Sequence, residues 1–247
     1  HTVTYDVRDL VPDLLDHFGE PFADSSAIPY FHLSRMTRSN VTVALSGDGG
    51  DEVFGGYRRY TAWLWARQYQ RWTPTRLRRA VDRLALSLRE PSVYYGHSAG
   101  KRLRRFLEFS AALEEDASSS WAFFLLEGEK RALYSAAFDV ALDACPEEVR
   151  TAALPAADLM QVDQATYLPD DILAKVDRTS MACSLEVRLP FLDHTFVEFA
   201  ASIPSHLKLH GMQTKYILKK SLERFLPREL IYRKKQGFSP VNLWSKK

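Results

Sequence analysis

The chain has 247 residues, 46% hydrophobic and 26% charged, with 33 basic against 31 acidic side chains for a net charge of +2. Such a length and balance fit an ordinary globular protein able to bury one sizeable core, and the near-neutral charge points to no nucleic-acid partner. Cys145 and Cys183 lie in unrelated contexts and make no disulfide framework, which points to a reduced, cytoplasmic setting, and no apolar run approaches the roughly 20 residues that span a bilayer.

Thr2-Val3-Thr4-Tyr5 reads as a short strand, and Val7 to Phe18 as an amphipathic helix with Leu10, Leu14, Leu15 and Phe18 on one side. Nothing at the start resembles a signal peptide. A loop through Pro21 leads to a helix from about Ala27 to Arg38, and then Val41-Thr42-Val43-Ala44-Leu45 alternates β-branched and small apolar residues as a short buried strand does. Beyond the following glycine-rich loop the pattern is almost wholly helical, broken at Pro74, Pro91, Gly100, Pro146, Pro155, Pro169, Pro190, Pro204, Gly211 and Pro227. From Arg58 to Arg105 arginines crowd, but they interleave with Trp63, Trp65, Tyr69, Trp72, Leu77, Leu84 and Leu88 at helical spacing. Solvated faces of packed helices are the reading, because long arginine stems cover apolar surface.

The loop Ser46-Gly47-Asp48-Gly49-Gly50-Asp51-Glu52, running on to Gly55-Gly56-Tyr57, should sit at the carboxyl end of the Val41 strand. In open α/β sheets that edge is where ligands bind, and glycines there let backbone N–H groups approach a phosphate. Asp48, Asp51 and Glu52 are no partners for phosphate directly, but they suit a divalent metal that carries phosphate oxygens, since Mg²⁺ takes one or two carboxylates plus substrate oxygens. The plainer reading is an acidic turn with Asp51 as the N-cap of the next helix. The histidines, among them His17, His32, His97, His194, His206 and His210, show no metal-ligand spacing, and no Ser/His/Asp set can be assembled.

Four blocks, in order from residue 20 to 238, carry a resemblance. They are residues 20–29 (Glu20-Pro21-Phe22-Ala23-Asp24-Ser25-Ser26-Ala27-Ile28-Pro29), residues 46–57, residues 167–178 running on to 184–193 (Ser184-Leu185-Glu186-Val187-Arg188-Leu189-Pro190-Phe191-Leu192-Asp193), and Thr214-Lys215-Tyr216-Ile217-Leu218-Lys219 followed by residues 232–238. Together they resemble the synthetase domain of the glutamine-hydrolysing asparagine synthetase family, ATP pyrophosphatases that adenylate a carboxylate. The resemblance implies an α/β, predominantly helical fold: residues 1–60 as the rear half of a doubly wound parallel nucleotide-binding sheet, residues 61–247 as a large helical portion, all within a single partial synthetase domain. It implies ATP and Mg²⁺ as cofactors, with aspartate or a related carboxylate and ammonia from a glutaminase domain as partners; a homo-oligomer is left open.

By the same resemblance Asp51 is the metal ligand, with Glu52 either a further ligand neighbour or a capping partner. Ser46 and Gly47 face phosphate, Lys215 and Lys235 contact pyrophosphate, and Asp48 occupies a variable acid position linked to formation of the intermediate. Lys234 competes with Lys235 for its role. Asp24, Ser25 and Ser26 match a polar segment lining the substrate, and their plainer reading is an N-cap for the Ala27 helix. Glu186, Arg188 and Asp193, set among apolar residues, read as a semi-buried ion-pair network. The family's upstream Ser-Gly-Gly-x-Asp-Ser loop and its amino-terminal cysteine-nucleophile domain are absent from these residues. The chain is therefore expected to be a carboxy-terminal piece, inactive alone, weak in ATP·Mg²⁺ binding and prone to self-association. A related amide or lactam synthetase, and a non-catalytic scaffold of the same fold, remain the alternatives.

Overall fold

The structure, a computed structural model, describes residues 7–78, 80–81, 103, 106–107, 110 and 159–233. The expectations for Thr2 to Tyr5, for Cys145, for Lys234 and Lys235, and for most of the arginine-rich stretch beyond Arg78 lie outside the described residues. The chain divides into two compact units, one drawn from His1–Gly55, Gln164–His210 and Lys215–Lys247, the other from Gly56–Asp163 and Gly211–Thr214.

The first unit opens with α1, Val7–Phe18, and α2, Ala27–Arg38. Leu10, Leu14 and Phe18 recur every four residues on α1 and bury together with Ala27 and Phe31 of α2, while Phe22 stacks on Phe18 at 4.3 Å between centroids. Leu15, expected on the same side, is 48% exposed, because it falls a residue away from that stripe. Strand β1, Val43–Leu45, pairs in parallel with β2, Glu186–Arg188, Val43 opposite Glu186 and Leu45 opposite Arg188. Glu186 N–H donates to Thr42 O at 3.0 Å and Ser46 N–H to Arg188 O at 2.9 Å, extending the ladder at both ends.

The fold is thus mostly helical with a small parallel sheet, an α/β arrangement. Two expectations are corrected here. The strand is not buried: Val43 is 38% and Leu45 73% exposed, since among the described residues β1 has one neighbouring strand and little covers that face. Nor do Glu186, Arg188 and Asp193 form a semi-buried network. Arg188 Nε meets Glu186 Oε1 at 2.6 Å with both side chains more than half exposed, the two lying i, i+2 on one face of β2. Asp193 instead caps α7, His194–Ser202, accepting from the N–H of Thr195 at 3.0 Å and of Phe196 at 3.3 Å.

After β1 the chain turns through the glycine loop into the short helix α3, Gly50–Phe54. Val53 and Phe54 pack with Ala200 of α7 and with Phe191, Leu192, Phe196, Ile217 and Leu218. In the second unit α4, Arg58–Trp72, buries Tyr60, Trp63 and Ala66. Arg59 Nη2 pairs with the buried Asp163 at 2.8 Å, and Arg67 stacks 4.9 Å over the Trp63 ring, so these arginines cover apolar surface as expected. α5, Leu159–Ala165, precedes a single π-helical stretch, Leu168–Leu173, which passes directly into α6, Ala174–Met181. The helix α6 packs across α2 and α1. The chain then runs through a short helical turn, Ser205–Lys208, to α8, Tyr216–Leu222, and ends its described part near Arg228–Ile231. No helix among the described residues is long and apolar enough to cross a membrane.

Candidate functional site

The loop after β1 leaves the carboxyl edge of the parallel pair, as the strand reading requires. Its closing residue is Gly49, whose φ of +83° and whose position against Leu192 exclude a side chain: a Cβ there would overlap the Leu192 branch. Gly49, not Asp51, is therefore the N-cap of α3, and Asp51 stands one residue inside the helix. The capping role set against metal binding for Asp51 is thereby corrected; a glycine needing φ > 0 takes the cap because the loop must turn sharply under Leu192.

Asp48 lies half-buried within the loop. Its Oδ2 accepts from Ser46 Oγ at 2.5 Å and from Tyr30 Oη of α2 at 3.3 Å. Burial, together with the Asp48 charge, pushes the Tyr30 phenol up to about 12, so it stays protonated at neutral pH and keeps a proton to donate to Asp48. The Ser46 hydroxyl is thus held by Asp48. Gly47 is exposed and a Cβ there would meet nothing, so no neighbouring atom of the chain demands a glycine at that point.

Lys215 comes from far along the sequence to the same loop, its Nζ 2.9 Å from Asp51 Oδ1, with both side chains about a quarter exposed. It enters α8 with φ +53° and ψ +38°, a left-handed backbone that costs a non-glycine residue roughly 1–2 kcal/mol. Glu52 is 1% exposed, and its carbonyl accepts from Gln164 Nε2 at 3.0 Å. Among the described residues no cluster of three or more His, Cys, Asp or Glu forms a metal cage. One carboxylate beside an ammonium at the carboxyl edge nevertheless fits a magnesium that brings phosphate oxygens with it, because such an ion asks the protein for only one or two hard oxygen donors.

A second cluster gathers at the start of α2. Asp24 Oδ1 accepts from Ser26 N–H at 2.9 Å and Oδ2 from Ser26 Oγ at 2.6 Å, so the acid closes a turn just before the helix and does not cap its first turn. Lys175 of α6, 7% exposed, donates to Asp24 Oδ2 at 2.6 Å and to Ser26 Oγ at 2.8 Å. Burial raises the Asp24 carboxyl, but the Lys175 and Ser26 hydrogen bonds outweigh it and hold it below its ordinary value. Burial and the nearby Asp24 charge push Asp171, in the π-helical stretch, the other way. Ser25 is exposed.

The structure therefore brings Ser46, Asp48, Asp51 and Lys215 together, and Asp24 with Ser26; Lys235 lies outside the described residues. The two clusters meet along α2, where Tyr30 is one turn, roughly 6 Å of rise, beyond Ser26. Sequence reasoning missed Lys175 and Tyr30. Lys175 had a signal, a lysine flanked by Ala174 and Val176 in an apolar helical stretch with Asp171 one turn earlier; Tyr30 had none.

A parallel strand pair with an acidic glycine loop at its carboxyl edge, met by a lysine from a distant helix, defines an α/β protein of the ligand-at-strand-end class. The chain belongs to the asparagine synthase family, whose sequence model matches residues 1–247. It is 33% identical over 241 residues to the glutamine-hydrolyzing asparagine synthetase 1 of Bacillus subtilis (strain 168), covering 96% of this chain and 37% of that protein. It is likewise 33% identical over 253 residues to a putative glutamine-hydrolyzing asparagine synthetase of Mycobacterium tuberculosis (strain CDC 1551 / Oshkosh), covering 95% of this chain and 35% of that protein. A 73-residue stretch is 42% identical to the Gallus gallus glutamine-hydrolyzing asparagine synthetase, covering 28% and 13%. The chain thus spans little more than a third of the length of the first two relatives. No solved structure matches it.

Proposed function

We propose that the chain is the synthetase portion of an ATP-dependent asparagine synthetase, its β1–β2 pair belonging to a doubly wound nucleotide-binding sheet. A carboxylate oxygen of aspartate attacks the α-phosphorus of ATP and pyrophosphate departs; ammonia derived from glutamine then attacks the acyl carbon, loses a proton and displaces AMP. The observation that carries this reading is the Asp51–Lys215 pair at 2.9 Å on the carboxyl edge of the sheet. Asp51, with Glu52 as its neighbour, would hold magnesium, which supplies charge neutralisation on the phosphates when bound. Lys215 and, by sequence, Lys235 stabilise the charge that gathers on departing pyrophosphate. Asp48, oriented by Ser46 with Tyr30 as a more distant second donor, takes the proton from attacking ammonia. Gly47 offers backbone N–H to phosphate, and the Asp24-Ser25-Ser26 segment lines the carboxylate pocket.

In the intact protein, Asp51→Asn should abolish ATP–pyrophosphate exchange while leaving the melting temperature nearly unchanged. A variant that melts early yet keeps exchange would make Asp51 a structural residue and overturn the assignment.

A further inference from the structure

The same strand pair has a second polar feature, at its opposite edge. α2 ends at Arg38 and α6 ends at Met181, and both lead into the amino-terminal ends of β1 and β2. Between these two helix ends lies a cleft of about 280 Å³ lined by Phe31, Arg35, Arg38, Ala182, Cys183 and Ser184. Along α2 the cleft's farthest residue, Arg38, stands about 12 Å beyond Tyr30, on the side of the sheet away from Asp48 and Asp51.

The cleft is open to solvent, with Arg35 and Ser184 exposed, and two observations bear on what it could hold. The first is its charge. Arg35 and Arg38 stand i, i+3 on α2, and neither has an acidic partner among the described residues. Like charges at that spacing repel, and the negative ends of the two helices offset only part of this. Arg35 lies close enough to His32 and Cys183 to act on both electrostatically.

The second observation is Ser184. The end of α6 closes with Leu185 N–H on Ser180 O at 3.0 Å and Ser184 N–H on Met181 O at 2.9 Å, a pairing that places Ser184 in the left-handed region, φ +56°. Glycine is the cheap residue at that point of a helix terminus, and serine carries a steric cost. Among the described residues only Ser184 and Lys215 are non-glycines with positive φ. Lys215 directs an ammonium to Asp51; Ser184 offers a hydroxyl to the cleft, with no hydrogen bond to a described group.

We infer that this cleft is a binding site for a small organic oxyanion, its carboxylate or phosphate group held by Arg35, Arg38 and the Ser184 hydroxyl and its apolar body resting on Phe31, Ala182 and Cys183. Guanidinium pairs bind planar or tetrahedral oxyanions through paired N–H donors, and the apolar floor excludes a bare hydrated ion. The inference does not depend on the chemistry assigned to the opposite edge.

Cys183 lines the cleft, so its alkylation reports occupancy. With the intact protein, phenyl phosphate and benzoate at millimolar concentration should each slow modification of Cys183, read by peptide mass mapping, and the better of the two identifies the anion as phosphate or carboxylate. Arg35→Gln with Arg38→Gln should weaken protection by roughly tenfold or more. Ser184→Gly should weaken it several-fold while raising the melting temperature, because glycine relieves the left-handed strain. Should neither probe protect Cys183, should protection survive the double arginine change, or should Ser184→Gly raise stability with protection intact, the cleft is no oxyanion site.

Discussion

Two lysine–aspartate pairs in one unit have nearly the same length and opposite settings. Lys175 and Asp24 meet at 2.6 Å with 8% and 22% of their side chains exposed; Lys215 and Asp51 meet at 2.9 Å with 26% and 24% exposed. The first pair carries a third partner, Ser26, and ties α6 to the segment entering α2. The second is approached through a strained backbone at Lys215 and joins the entrance of α8 to the first turn of α3. An ammonium that is buried and held by two acceptors is architecture, whereas one reached at a backbone cost and left partly open to water is placed to meet something else.

The largest effect should follow from breaking the closed pair. Lys175→Met removes the cation and leaves Asp24 desolvated beside Ser26, which should cost about 3 kcal/mol by thermal or denaturant unfolding, the scale for an uncompensated buried charge. Lys175→Met combined with Asp24→Asn should recover much of that loss, since the orphaned charge goes with it. If Lys175→Met costs less than about 1 kcal/mol, the pair is no staple and the contrast with Lys215 collapses.

Breaking the open pair should do the reverse. Lys215→Met should change stability by under about 1 kcal/mol, the usual worth of a partly solvated ion pair. It should lower synthetase turnover by roughly two powers of ten, the scale for losing one preorganised electrostatic contact. A large stability loss with turnover retained would assign Lys215 to the framework.

The contrast also explains what could be read from the sequence. α1 was legible because its apolar residues recur at helical spacing and α2 because the Pro21 loop and the Val41 strand bound it, and the acidic loop was legible because three acids and its glycines crowd behind a β-branched run. The Asp51–Lys215 meeting was carried by resemblance alone, since spacing says nothing about which helix returns to a loop. Glu186 and Arg188 misled because alternating apolar neighbours suggest burial, whereas β2 faces solvent with both charges on one side. Lys175 was passed over because an isolated lysine in a helix is most often solvated, and only the three-dimensional meeting with Asp24 shows otherwise.

A smaller, pH-dependent effect should separate Asp24 from its neighbour Asp171. Asp24 titrates below the ordinary 3.8 in the folded chain, so its contribution is complete above that value and is lost as pH falls through the lower folded one. Asp171 titrates above 3.8 through burial and the Asp24 charge, so the folded state binds its proton the more tightly and gains stability as pH falls from the raised value toward 3.8. Stability followed through mild acid should therefore rise before it falls. Asp171→Asn should raise the neutral-pH melting temperature and erase the rise while leaving the fall; a rise that persists in the variant would show that Asp171 is already relaxed by solvent.

The smallest effect should come from Tyr30, and it tests how Asp48 is held. The Tyr30 hydroxyl reaches Asp48 Oδ2 at 3.3 Å, well beyond the usual O–H···O separation of about 2.7–2.8 Å, while Ser46 reaches the same oxygen at 2.5 Å. Two donors on one carboxylate oxygen do not share it equally, and the nearer one fixes the rotamer. Tyr30→Phe keeps the ring and deletes only the distant donor, so stability should move by about 0.5 kcal/mol or less, under the worth of a well-formed hydrogen bond. Turnover should fall no more than a few-fold with KM for the carboxylate unchanged, because the orientation of Asp48 survives. Ser46→Ala removes the shorter bond and should cost turnover several times more. Should Tyr30→Phe prove the more damaging of the two, the phenol would be acting on the reaction itself, its hydroxyl moving closer to Asp48 when substrate is bound.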